Sequence, residues 1–114
     1  MQKIPEDIKT KLAQFQTLQQ QLQMVAVQKQ QLIMDKGEAE DAKKALLVST
    51  GDVYKSVGPL LLKSDKASLE AELSDGIISA ENRISLLDKQ EQKLVGKAQE
   101  LQKDLQAGLS GYSG

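Results

Sequence analysis

Glu38 with Asp41, and Glu70 with Glu72, are the places in this 114-residue chain where paired carboxylates could do general acid–base work. Neither pair has the company such chemistry needs. There is no Cys and no His, which removes thiolate nucleophiles, imidazole bases, disulfides and the commonest zinc sites together. The acidic residues share their segments with Lys43, Lys44 and Lys66, the pattern of a solvated charged face. No catalytic residue, metal ligand or cofactor is expected, and the chain reads as a non-enzyme.

Other function classes fall on charge and hydropathy. Fifteen basic against sixteen acidic residues leave a net charge of −1, and the longest basic run is Lys43-Lys44, so the electrostatic footprint of nucleic-acid binding is missing. No apolar run approaches the roughly 20 residues that cross a bilayer, and the opening "MQKIPEDIK" has no hydrophobic signal core. The expectation is a soluble cytoplasmic protein. Only 3% of residues are aromatic and there is no Trp, while Gln, Lys, Glu, Ala and Leu dominate, which is the balance of long helices rather than a layered core.

The elements follow from apolar spacing. Ile8, Phe15 and Leu22 form one heptad row, and Leu18, Val25, Leu32, Ala39 and Leu46 form a second, so coiled-coil periodicity runs through a helix over residues 5–48. Pro5, Glu6 and Asp7 suit its first turn, and Gly51 its stop. A second helix, 65–108, repeats the pattern with Leu73, Ala80, Leu87, Leu94 and Leu101 in one row and Ile77, Ile84, Ala98 and Leu105 in the other, which Glu91 interrupts. Ser64 or Asp65 can cap its start. Two narrow apolar stripes on a short linker cover each other as an antiparallel hairpin that sets position i near about 116 − i. Lys29 then falls one layer from Glu91, within reach of a cross-helix ion pair, and its long stem can lie over the seam with the ammonium in water. Nine of the twenty residues 12–31 are Gln, which the embedded heptad leucines make a polar helical face rather than an aggregating tract. The last six residues, 109–114, have the Gly and Ser content of a flexible tail.

Between the helices, "GDVYKSVGPLLLK" departs from everything around it. Val53-Tyr54-Lys55-Ser56-Val57 and the Leu60-Leu61-Leu62 run fit two strands about a tight turn at Gly58-Pro59, a β-hairpin over 52–63. A lone two-stranded hairpin is barely stable, and this one is apolar on both faces. Either it is a greasy loop folded onto the helix ends, or strands from several chains close into a barrel that hides both faces and leaves no edge. The second alternative makes Val53, Tyr54, Val57, Leu60, Leu61 and Leu62 oligomerisation residues.

The order of these pieces resembles the prefoldin family, in its archaeal β class: a coiled-coil helix, a single hairpin with "VYKSVGPLLLK", then "SDKASLEAEL" and "RISLLDKQEQKL" in the returning helix. The family's Gln-rich stretch has a counterpart in "LQQQLQMV", with Leu18 where an aromatic residue is usual. The fold class implied is all-α dominated, a long antiparallel two-helix coiled-coil hairpin whose short β-hairpin at the bend joins an inter-subunit β-barrel. The resemblance also implies a hexamer of two α-class and four β-class subunits. Its implied function is ATP-independent capture of unfolded client proteins and their delivery to a group II chaperonin, with no nucleic acid, membrane or cofactor involved.

The residues for capture would lie where the two chain ends meet. Ile4, Ile8, Leu12 and Phe15 stand on the first helix beside Leu101, Leu105 and Leu109 on the second, and beyond about Ile8 the returning helix is running out at Gly108 and Gly111, which leaves the seam partly uncovered. Apolar side chains left partly uncovered there are the expected client-binding residues. A structural coiled-coil scaffold that oligomerises through its hairpin without binding clients is the competing reading, and an arm that grips nucleic acid is disfavoured by the even charge balance.

Overall fold

The computed structural model describes residues 4–113, and the side chains of 4–110. Four elements follow one another: α1 (Glu6–Val48), β1 (Val53–Val57), β2 (Leu60–Ser64) and α2 (Lys66–Ser113). The two helices and the antiparallel hairpin between them are the expected architecture. One boundary differs. Instead of ending at residue 108, α2 continues as helix to Ser113; Gly114, the last residue of the expected tail, lies outside the described residues. Gly108 looked like a stop, but a glycine costs only about 1 kcal/mol within a helix, and Ile8 of α1 packs on this one.

The chain divides into two compact units, each built from a piece of both helices. Met1–Lys29 with Leu86–Gly114 form one, which we call the terminal unit; Gln30–Ser85, containing the hairpin, form the other, the hairpin unit. In the terminal unit, Leu18, Val25 and Leu94 are buried together, and Leu22, Leu87, Ala98 and Leu101 pack against them. Ile8 and Leu105 are buried as well. In the hairpin unit the buried apolar residues are Leu46 and Ala80. All of these lie on the heptad rows, because residues three and four apart are the ones that share a helix face.

The seam is narrow. No described side chain is completely shielded from solvent, as expected where two helices have only each other to bury against. Cross-helix charge pairs border it. In the terminal unit Lys29 Nζ lies 2.5 Å from Asp88 Oδ1 and 3.3 Å from Glu91 Oε1, and Lys11 lies 3.9 Å from Asp104. In the hairpin unit Lys36 lies 3.5 Å from Glu81.

Candidate interaction surfaces

The hairpin is held at both of its roots. Gly51, with φ 87°, takes the left-handed conformation that lets the chain leave α1. The Ser49 hydroxyl donates to the Leu46 carbonyl at 2.8 Å, and the Lys66 ammonium donates to the carbonyls of Leu47 at 3.1 Å and Ser49 at 3.4 Å. A cation thus meets the negative end of α1. At the other root Asp65 caps α2: its carboxylate accepts from the Ser68 backbone N–H and from the Ser68 hydroxyl, each at 2.8 Å. Those bonds, the backbone one foremost, hold the Asp65 carboxyl below its ordinary value.

Between the roots the strands pair in register from Val53↔Ser64 to Val57↔Leu60. Gly58 has φ 57° and Pro59 follows it, the sequence of backbone angles a type II′ turn requires. Because strand side chains alternate, Val53, Lys55, Val57, Leu60 and Leu62 share one face, and Tyr54, Ser56, Leu61 and Lys63 share the other. Both oxygens of Glu72 take a hydrogen bond or ion pair from Lys55 Nζ, at 3.0 and 2.9 Å, which ties the first face to α2. Glu72 is thereby committed to a structural pair and is not half of a carboxylate dyad.

Little covers either face. Val53 is half-buried, whereas Tyr54, Val57, Leu60, Leu61 and Leu62 are all exposed, Leu61 to 74%. Each strand has one paired edge and one open edge, the condition under which strands of other chains add on. The loop-on-helices alternative fails here, since a greasy loop folded down would bury its leucines. Sequence reasoning passed over Leu47 and Val48, which are also exposed in this unit. The signal was present: four successive apolar residues, Ala45 to Val48, cannot all face a seam one residue wide.

In the terminal unit the seven expected capture residues separate into three groups. Ile8 is only 4% exposed, with its Cδ1 seated where a side chain at position 108 would begin, and Leu105 is buried too. Phe15 and Leu101 are half-buried. Ile4, Leu12 and Leu109 are exposed, the first and last to 42%. The coil therefore stays closed through Ile8 and leaves apolar side chains uncovered beyond and beside that point.

Among the described residues there is no group of three or more acidic residues placed to hold a metal ion, and no helix is long and apolar enough to cross a membrane.

Comparison with known proteins places these features. The family model described as "Prefoldin subunit" matches residues 9–112. The prefoldin subunit beta of Pyrococcus horikoshii is 40% identical over 111 residues, covering 96% of this chain and 95% of that one. That of Methanothrix thermoacetophila is 41% identical over 108 residues, covering 93% and 90%. The crystal structure of the prefoldin beta subunit from Thermococcus strain KS-1 superimposes with a TM-score of 0.84 at 38% identity, over 96% of this chain and 97% of that chain.

Proposed function

The chain belongs to the prefoldin family, in its β class, and from that premise we propose that it is one subunit of an ATP-independent holdase that captures non-native proteins. Members of this family are chaperones rather than enzymes, and their subunits assemble with other prefoldin subunits. For this chain the assembly is a hexamer of two α-class and four β-class subunits in the cytoplasm, closed through the hairpins, and the captured chain passes to a group II chaperonin.

The observation that supports capture is the apolar surface left at the chain ends, Ile4, Leu12 and Leu109, beside a seam that is already closed at Ile8. Residues needed only to hold the coil together would be buried like Ile8 and Leu105. Each exposed side chain offers a client about 1 to 2 kcal/mol on burial at ~25 cal/mol per Å². Contacts this weak release without ATP, and several subunits acting on one client supply avidity.

The test is suppression of aggregation. The complex formed with an α-class partner, mixed at stoichiometric amounts with an unfolded test protein and without ATP, keeps that protein in solution. An oligomer that forms normally yet leaves aggregation unchanged would make the chain a scaffold instead.

A further inference from the structure

Along one flank of the terminal unit lies an open groove of about 370 Å³, lined by none of the residues proposed for capture or assembly. Its floor is the outer edge of the buried pair Val25 and Leu94. Gln21, Met24 and Gln28 of α1 form one wall, and Gln90, Lys93 and Lys97 of α2 form the other. Two lysines face it and no acidic residue does.

The surrounding charge reinforces that excess. From residue 12 to residue 28, α1 carries no charged side chain at all. Of the acids of α2 around it, Asp88 and Glu91 are occupied by Lys29 and Asp104 by Lys11, while Glu100 stands three residues beyond Lys97 and lines a different groove. Lys93 and Lys97 have no ion-pair partner among the described residues, and Lys89 stands one turn before Lys93 on the same face. Coil flanks in water ordinarily balance such lysines with acids four residues away. Here position i−4 of Lys93 is Lys89 and i+4 is Lys97, with Gln90 and Gly96 at i−3 and i+3, so Lys93 has like charges on both sides and no acid one turn away, and Glu100 is within a turn of Lys97 alone.

We propose that this groove docks an extended, acidic segment of a partner polypeptide, one with Glu or Asp at alternate positions. The spacing carries the match. Lysines four residues apart on a helix are separated by about 6 Å along its axis, and alternate residues of an extended chain by about 6.6 Å. Carboxylates on one side of such a segment meet Lys89, Lys93 and Lys97 in turn. Its backbone amides and carbonyls meet the side-chain amides of Gln21, Gln28 and Gln90, which donate and accept equally. Met24, an exposed and adaptable side chain, covers the small residues between the acids. The proposal does not rest on client capture, which uses other residues.

The experiment uses the assembled complex and a fluorescein-labelled peptide of alternating Glu and Ala. Fluorescence anisotropy should show saturable binding that weakens with added salt. Replacing Lys93→Gln together with Lys97→Gln should lower affinity at least tenfold, while Lys93→Arg with Lys97→Arg retains it. In methyl NMR spectra of the complex, the Met24 ε-methyl signal should move on addition of peptide and that of Met34 should not. Absence of binding, equal binding of the Gln–Ala peptide, an unaffected Gln double variant, or tighter binding of a single-stranded oligonucleotide than of the peptide would each overturn the proposal.

Discussion

Lys29 and Glu91 meet at 3.3 Å, each standing where its own heptad row would otherwise place an apolar residue. Lys29 continues the row of Ile8, Phe15 and Leu22, and Glu91 interrupts that of Ile77, Ile84, Ala98 and Leu105. The two exceptions therefore answer each other, and Asp88 joins them on the lysine's other side. Hydrogen bonding to Asp88 is the main reason the Lys29 ammonium is held above its ordinary pKa, against the opposing pull of partial burial. A charged layer in an apolar seam sets which residues face which, because any slip would leave both charges among leucines.

Replacing both members, Lys29→Leu with Glu91→Leu, should raise the melting temperature by roughly 5 to 10 °C, since an apolar layer is more stabilising than a paired charged one. Glu91→Leu alone should gain less, and Lys29→Leu alone should fall below wild type because Asp88 and Glu91 then repel. Thermal unfolding of the three variants decides it. A double variant no more stable than wild type would mean the charged layer is as favourable as leucine.

The Asp65 cap gives an acid dependence with a definite sign. Its folded pKa lies below the ordinary 3.8, so the stability it contributes is fully present above that value and is lost as pH falls through the lower folded one. Asp65→Ala should therefore melt a few degrees below wild type at pH 7, and the gap should narrow as the pH is taken from about 4 toward 2. A gap that stays constant over that range would show that the cap does not depend on the charge of the Asp65 carboxylate.

Much of this fold could be read from the residues because its energetics are one-dimensional. A seam one residue wide forces Leu18, Val25, Leu46, Ala80, Leu94 and Leu105 into strict heptad spacing, and the same strictness made Lys29 and Glu91 conspicuous. The alternating Val53-Tyr54-Lys55 segment and the Gly58-Pro59 turn were equally local signals. What stayed hidden depended on contacts between distant residues. Gly108 read as a terminator in isolation, yet its missing side chain is what admits Ile8. That one contact buries Ile8, an expected capture residue, within the seam.

Glycine substitutions should separate these cases. At Gly96 a methyl group would meet open space, so Gly96→Ala should stabilise the chain by about 0.5 to 1 kcal/mol through helix propensity and reduced unfolded-state entropy. At Gly108 the same methyl collides with Ile8 Cδ1. Gly108→Ala should yield a smaller gain or a loss, as Ile8 leaves its buried rotamer. Denaturant unfolding of both variants checks the contrast, and equal gains would show that Ile8 shifts without cost.

Assembly through the hairpin predicts a split between oligomer and helix. Leu61→Asp or Tyr54→Asp places a charge on the face that other strands would cover, so the complex should dissociate while far-ultraviolet circular dichroism retains most of its helical signal. The α1 and α2 seam lies elsewhere in sequence and should persist. Size-exclusion chromatography reads the outcome. An unchanged hexamer would move the interface away from the hairpin, with exposed Leu47 and Val48 the next residues to test.

The division of the seven apolar residues at the chain ends gives the sharpest test of capture. Ile4, Leu12 and Leu109 are exposed, so replacing all three with Ser removes little packing, and both the hexamer and its melting temperature should stay close to wild type. Aggregation suppression should fall sharply, because the surface offered to clients has gone. Ile8→Ser should behave in the opposite order: it opens a cavity against Gly108 and buries a hydroxyl, costing about 3 kcal/mol of stability. Capture per folded complex should then hold, since Ile8 is not itself presented to a client. Both quantities have to be measured on the same samples. Full capture by the triple variant would place client binding along the half-buried Phe15 and Leu101 instead, and loss of stability together with capture in that variant would mean that the chain ends serve the coil alone.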